Sequence, residues 1–216
     1  MNKKTIQSIF LGMILLLMYL PILILAVYSF MDSAIIGKSG SFTVKNYVYL
    51  FHSEDLRSMI FGTLILAVVV AVISTILGTL GAIGAFYSSK KLKRPIQLMN
   101  QIPVVNADVV TGFSICVLLI VFFKMDKASY VPLVIGLVSL CSPFVYLSVI
   151  PRLKQMDPQL YEAALDLGCS PFGALRKVVL PQLTSGIVSG FMMSITLTLD
   201  DYFITTYTKP SMFDTI

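Results

Sequence analysis

Charged residues are scarce in this chain. Of its 216 residues, 12% are charged and 56% are hydrophobic, and the mean hydropathy is +0.87. A soluble domain carries roughly 25% charged residues. So few charges cannot cover a surface that faces water, which excludes a soluble globular domain and indicates an integral membrane protein.

Residue types that build metal, disulfide and nucleotide sites are equally scarce. There is one histidine, His52, and three cysteines, so the chain offers neither a zinc-type cluster nor a disulfide framework. It has no glycine-rich nucleotide-binding loop, so it cannot hydrolyse a nucleotide by itself. The net charge of +5 is spread over short loops, whereas a nucleic-acid binder concentrates its charge on one polar face. We therefore predict no metal, no cofactor bound by this chain and no nucleic-acid partner.

Long apolar runs dominate what remains and predict an all-α membrane protein with one transmembrane domain over residues 1–216. A membrane-spanning helix needs about 20 predominantly apolar residues. Five runs meet this condition, at about 6–30, 59–87, 96–123, 130–150 and 182–208. Glycines in two of them, at 78, 81 and 84 and at 186 and 190, predict faces on which helices approach closely.

Three carboxylates lie in or near these runs. An ionisable group inside a span costs on the order of 3 kcal/mol, so it tends to face a cavity and to mark function. Asp108 follows Pro103, which suggests a kink or an unwound turn, and Asp200 and Asp201 precede Tyr202 near the end of the last run. We predict that Asp108, Asp200, Asp201 and Tyr202 border a substrate pathway, with one of the adjacent aspartates facing it and the other serving as a cap. The alternative is that all three carboxylates are structural caps near helix breaks.

Basic residues favour one side of the predicted topology. Ten of the 16 lie on one side, together with three acidic residues: Lys3, Lys4, Lys90, Lys91, Lys93, Arg94, Arg152, Lys154, Arg176 and Lys177. Because cytoplasmic loops carry the excess of Lys and Arg, the N-terminus and the polar stretch 152–181 are predicted to be cytoplasmic. The basic turn 90–94 serves as a topology anchor in this interpretation, and a lipid-headgroup site is the alternative.

The stretch 152–181 predicts two short helices outside the membrane. Asp157 suits the N-cap and Pro158 the first position of the first helix, and Gly168 permits the turn that ends it. Ser170 and Pro171 repeat the cap-and-proline signal and start the second helix. Such a helix pair has a shape that docks into a groove of another protein.

This stretch resembles the cytoplasmic loop of permease subunits of ATP-binding-cassette importers. The family pattern is Glu-Ala-Ala, three residues, Gly, nine residues, Ile, one residue and Leu-Pro. The chain matches it in type and spacing, with Val178 in place of Ile, at these positions: Glu162, Ala163, Ala164, Gly168, Leu180 and Pro181. Stretches 19–21, 106–110 and 197–202 further resemble the second permease subunit of spermidine/putrescine importers, with lower specificity.

The resemblance implies a type I importer permease fold in a bacterial inner membrane, with the six loop residues coupling it to an ATPase. It implies three kinds of partner besides the lipid bilayer itself: a homologous second permease subunit, two copies of a cytosolic ATP-binding subunit and an extracytoplasmic substrate-binding protein. The chain would form half of the translocation pathway and would not be an enzyme, since ATP is used by its partner. Members of the family usually have six spans, so the five predicted here suggest a chain that is incomplete at its C-terminus.

Other functions are compatible with parts of the sequence. An importer permease for another small solute would share the loop, although acidic residues in the spans argue against an anion. An ion-coupled secondary transporter would use Asp108 or Asp200 as its coupling carboxylate, and internal repeats, which the sequence does not convincingly show, would support it. A non-transporting membrane scaffold would leave the carboxylates and the alanine-glycine loop unexplained.

Overall fold

Helices account for almost all of the described chain. The computed structural model describes residues 3–32, 40–105, 108–126, 129–157 and 159–208. Its α-helices are α1 Lys3–Ser29, α2 Lys45–His52, α3 Glu54–Tyr87, α4 Lys90–Val105, α5 Asp108–Cys116, α6 Val131–Gln155, α7 Gln159–Asp166, α8 Pro171–Ala174, α9 Leu180–Asp200 and α10 Phe203–Thr208. Two π-helical segments, Val117–Phe122 and Leu175–Val179, follow α5 and α8.

Among the described residues, four helices are long and apolar enough to cross a membrane. They are Gln7–Ser29, Glu54–Tyr87, Val131–Gln155 and Pro171–Asp200, and a shorter apolar helix covers Val110–Phe122. Within the described ranges no strand forms, and the only β-type pairing is an isolated bridge between Met31 and Phe42. The predicted all-α membrane fold is confirmed.

Within the region predicted as the third span, 96–123, the described helices are α4, up to Val105, and α5, from Asp108. Pro103 lies within α4, and residues 106 and 107 lie outside the described residues. Helix α4 opens with four basic residues and contains several amides. One of these amides, on Asn100, donates to the carbonyl of Ile96 at 2.9 Å, within its own helix.

Residues 1–58 form one compact unit. Its first helix, α1, continues through Pro21 and exposes apolar side chains along its length. Just beyond α1, the Phe30 ring stacks on Phe42 at 5.6 Å and lies 5.1 Å from the Tyr47 ring. The Tyr47 hydroxyl is 2.7 Å from Ser29 Oγ. The segment after α1 is therefore held at the helix end by an aromatic cluster and a hydroxyl pair.

Residues 59–216 form the second unit, whose centre is Val145 on α6. A Cβ added at Gly78 of α3 would lie 2.6 Å from Val145 Cβ, and one at Gly190 of α9 would lie 3.0 Å from Val145 Cγ1. A Cβ at Gly186 would lie 3.0 Å from the carbonyl oxygen of Ser148. The prediction of close packing is confirmed at these three glycines.

Two other glycines of α3 make no such contact within the described residues. A Cβ at Gly81 or Gly84 would meet no atom of the described residues within 4 Å. Each residue of a helix turns by about 100°, so steps of three residues rotate by about 60° from the original face. By Gly84 the series that starts at Gly78 has left the face that contacts α6.

Candidate functional site

The first helix of the stretch 152–181, α7, is capped at its start by Asp157. Its Oδ1 accepts a hydrogen bond of 2.9 Å from the amide of Gln159, which confirms the predicted cap. Pro158 lies outside the described residues. The preceding helix α6 continues to Gln155, so the stretch leaves the span later than the predicted residue 152.

Gly168 ends α7 in a Schellman motif. Its φ is +84°, a left-handed conformation that L-residues with a Cβ rarely adopt. The Gly168 amide donates to the carbonyl of Leu165 at 2.9 Å, and the Cys169 amide donates to that of Ala164 at 3.0 Å. These are the two bonds that define the motif. The predicted turn at Gly168 is confirmed, and its geometry requires glycine.

The second helix, α8, begins with the predicted Ser170-Pro171 signal. Ser170 Oγ accepts from the Gly173 amide at 3.2 Å, and Pro171 occupies the first turn, where its missing N–H has no intrahelical partner to lose. Because this cap depends only on neighbouring residues, the sequence predicts it, and the structure confirms the prediction.

The segment after α8 differs from the sequence prediction of a span that starts near residue 182. The chain continues from α8 through the π-helical segment into α9, so that Pro171–Asp200 forms one apolar helix of 30 residues. The Leu180 amide donates to the carbonyl of Leu175, one residue further back than in an α-helix. Pro181 has no N–H and its ring crowds the preceding turn, and a π-helical turn accommodates both effects. The second loop helix is therefore continuous with a membrane span.

The inner face of this helix pair is anchored to the bundle. Ala164, Ala174 and Val179 are buried, the last two completely. The Tyr161 ring lies 5.0 Å from that of Tyr87 at the end of α3. Val179 belongs to an apolar cluster with core residues of α3, α6 and α9, and Tyr161 packs against that cluster. The stretch thus contacts the bundle through Tyr161 and Val179, and the buried Ala164 belongs to its inner face.

The outer face combines a carboxylate with exposed apolar groups. We call it the loop surface and define it by Glu162, Ala163, Leu167, Gly168 and Phe172. Leu167 is 87% exposed and Phe172 is 74% exposed. Apolar side chains so exposed outside a membrane typically mark a protein-binding surface. Sequence reasoning missed Leu167 and Phe172, although apolar residues on both sides of the Gly168 turn were a usable signal.

The remaining two residues of the loop motif lie at the start of α9. Leu180 is 37% exposed and lines, together with Phe172 of the loop surface, an apolar cavity of about 470 Å³ between α3, α8 and α9. Pro181 is exposed, and its carbonyl accepts a hydrogen bond from the Thr184 hydroxyl. These two residues shape the bend into the span.

The two adjacent aspartates differ in their contacts, since Asp201 is a helix cap and Asp200 is an exposed carboxylate. The carboxylate of Asp201 accepts from the amide of Thr205 at 2.9 Å and from its hydroxyl at 3.0 Å. It also accepts from the Ile204 amide at 3.4 Å, so it caps α10. This cap breaks the region predicted as the span 182–208 into α9 and α10. Asp200 ends α9 with an exposed side chain, and Tyr202 is likewise exposed.

Helices α5 and α10 run side by side in the same direction. A Cβ at Gly112 would lie 3.2 Å from the amide nitrogen of Ile204, and one turn later Cys116 Sγ donates to the carbonyl of Tyr207 at 3.4 Å. Asp108 is the first residue of α5, one turn before Gly112, and its side chain lies outside the described part of the structure. The backbone therefore brings Asp108 to the same end of this helix pair as Asp200 and Asp201.

Comparison with known proteins decides the family. The sequence model of the family described as "Binding-protein-dependent transport system inner membrane component" matches residues 78–215, which include the whole loop motif. The chain belongs to this family. The resemblance to an importer permease is thereby confirmed, and with it the multi-pass membrane character of the chain.

Individual relatives resemble this permease over nearly its whole length. The spermidine/putrescine transport system permease protein PotC of Escherichia coli K12 is 32% identical over 98% of this chain and 80% of its own. The putrescine transport system permease protein PotI of the same strain is 30% identical, over 95% of this chain and 76% of its own. PotC of Haemophilus influenzae is 28% identical, over 96% and 80%.

Proposed function

We propose that this permease forms half of the translocation pathway of an ATP-driven importer of polyamines, with spermidine or putrescine as substrate. The observation that supports polyamines as the substrate is the 30–32% identity, over nearly the whole chain, to permeases named for those compounds. In this proposal the chain binds no cofactor of its own, and a cytosolic partner hydrolyses ATP. A homologous second permease supplies the other half of the pathway.

The loop surface is the proposed docking site for the ATPase, of which the importer holds two copies. Glu162 is exposed in the first turn of α7, and Leu167 and Phe172 offer apolar contacts on either side of the Gly168 turn. Because α8 is continuous with α9, a displacement of the docked surface is transmitted along a helix rather than through a flexible loop. This proposal needs the N-terminus and the loop in the cytoplasm, as the basic residues predict.

The substrate path is proposed to pass the end of α5 and α10 where the aspartates gather. Polyamines are flexible apolar chains with two to four ammonium groups, so a path for them needs carboxylates beside aromatic or apolar walls. Asp200 and Tyr202 are exposed there, and Asp108 begins the neighbouring helix. Asp201 already accepts hydrogen bonds from α10, so we assign it the supporting role and Asp200 the role facing the path. A soluble binding protein outside would deliver the substrate.

Docking is tested by charge reversal on the loop surface. Glu162→Lys is expected to lower ATPase association and spermidine-stimulated ATP hydrolysis in the reconstituted importer, because it reverses the charge of an exposed carboxylate of that surface. Glu54→Lys is the matched control, since Glu54 is exposed in the first turn of α3, at the opposite end of a span. Unchanged association and hydrolysis with Glu162→Lys would rule out this docking surface.

The substrate path is tested by radiolabelled spermidine uptake into proteoliposomes that contain the whole importer. Asp200→Asn removes a charge without removing a hydrogen bond found in the structure, and it is expected to reduce uptake while thermal stability is unchanged. Asp201→Asn retains an oxygen that can cap α10, and it is expected to reduce uptake less. Full uptake by both variants would refute the role of this aspartate pair.

A further inference from the structure

A small basic pocket lies between α3, α4 and α6, away from both the loop surface and the aspartates. Its volume is about 200 Å³, and its lining residues are Ala85, Phe86, Lys93, Gln97, Tyr146, Ile150 and Lys154. Two of these residues are lysines and none is acidic. The pocket therefore favours an anion and repels a polyamine, which separates it from the proposed substrate path.

Aromatic and apolar groups restrict how the lysines are presented. Lys93 Nζ lies 5.3 Å from the centre of the Phe86 ring, a cation–π geometry that holds the ammonium at the pocket. Lys154 comes from the last turn of α6, on the opposite wall. The two ammonium groups thus belong to different helices and converge on one space.

A buried phenol lines the same pocket. Tyr146 is only 3% exposed, and its hydroxyl has no hydrogen-bond partner among the described residues. Its helix neighbours Ser142 and Ser148 donate to carbonyls of their own helix at 2.7 and 3.0 Å, so hydroxyls on α6 are otherwise satisfied. An unpaired buried hydroxyl costs roughly 1–3 kcal/mol, and a small shift of the enclosed Tyr146 side chain toward the pocket would let an acceptor oxygen of a ligand recover that cost.

The polar groups that α6 contributes to the pocket lie at different depths along the helix. Tyr146 and Lys154 are eight residues apart, about 12 Å along the helix axis. Ala85 and Phe86 on one wall and Tyr146, Ile150 and Lys154 on the other belong to two of the membrane-spanning helices. A ligand would therefore meet the ammonium groups at the end of the spans and the phenol deeper in the membrane.

We propose that this pocket binds the headgroup of an anionic phospholipid. The phosphate would lie between Lys93 and Lys154, and an ester carbonyl of the glycerol region would accept from the Tyr146 hydroxyl. Pockets that enclose whole small ligands measure about 300–1,000 Å³, so this smaller one suits a headgroup whose acyl chains lie outside. Basic pockets between membrane helices are a recurrent form of lipid recognition.

The test is native mass spectrometry of the purified complex of both permeases with the ATPase, titrated with phosphatidylglycerol. A lysine near an anionic surface contributes about fivefold to binding, so Lys93→Gln with Lys154→Gln should weaken retention about 30-fold. Tyr146→Phe should weaken it less. The matched control is Lys91→Gln with Arg94→Gln, which removes two exposed charges of the same turn outside the pocket and should leave retention unchanged.

Four results would overturn the proposal. The first is that the pocket double variant retains phosphatidylglycerol as well as the wild type does, and the second is that the control variant loses as much lipid as the pocket variant. The third is that phosphatidylcholine binds as tightly as phosphatidylglycerol, and the fourth is that glycerol phosphate binds as tightly as the lipid. Cross-linking of a cysteine placed at Lys154 to the ATPase would assign the pocket to that protein instead. Lipid retention does not depend on uptake, so failure here and failure of the proposed transport function are separate results.

Discussion

Replacement of Gly168 by alanine isolates the effect of backbone conformation at the turn between α7 and α8. The added Cβ would meet no atom of the described residues within 4 Å, so the variant creates no clash. The φ of +84° remains, and holding an L-residue in the left-handed region costs roughly 1–2 kcal/mol. That energy lowers the equilibrium ratio of formed turn to open turn by about 5–30-fold.

Hydrogen exchange measures this loss at the turn itself. The amides of Gly168 and Cys169 donate to α7 carbonyls, so their exchange rate reports how often the turn opens. Gly168→Ala should accelerate exchange of the peptide that contains them by about 5–30-fold. Gly168→Asn should accelerate it less, because Asn visits the left-handed region more readily.

Gly84→Ala is the matched control for this series. It makes the same chemical change, also into open space, but in the interior of α3, where a helical backbone accepts alanine better than glycine. No acceleration is expected in that variant. If Gly168→Ala exchanges less than twofold faster than the wild type, or if Asn and Ala behave alike, the claim that backbone conformation controls this turn is refuted.

Three further predictions concern packing, capping and orientation. Gly78→Ala should destabilise the permease in thermal unfolding by about 1–3 kcal/mol, since its Cβ would lie 2.6 Å from Val145 Cβ and 2.8 Å from the Ser142 carbonyl oxygen, and an unchanged Tm would contradict the close contact of α3 and α6. Asp201→Ala should cost about 1 kcal/mol and accelerate hydrogen exchange in α10, whereas equal exchange in the variant and the wild type would deny the cap. A membrane-impermeant maleimide should label Cys169 only from the cytoplasmic side and should not label the buried Cys141 in the folded protein; labelling of Cys169 from outside would reverse the proposed topology.

Features set by neighbouring residues could be predicted from the sequence. Asp157, Gly168 and Ser170 act within a few residues of their own position, so capping chemistry alone identified them. Long apolar runs likewise identified the spans of α3 and α6, because length and composition determine whether a helix can cross a membrane.

Features that depend on distant residues could not be predicted in this way. Gly78 and Gly84 look alike in the sequence, and only the position of Val145 distinguishes them. The roles of the adjacent Asp200 and Asp201 depend on where α10 returns to pack. The unpaired hydroxyl of Tyr146 likewise exists only because two other helices enclose it.

The position at which the long helix Pro171–Asp200 contacts α6 determines how motion at one end is transmitted to the other. Its close contacts with α6 are at Gly186 and Gly190, and the point midway between them is about 26 Å from Pro171 and about 18 Å from Asp200 at 1.5 Å per residue. A rigid rotation about this point would move the Asp200 end about two-thirds as far as the end that carries Phe172. The helix therefore reduces the motion that it transmits. A large displacement of the Phe172 end becomes a smaller displacement, with greater force, of the Asp200 end on the other side of the membrane.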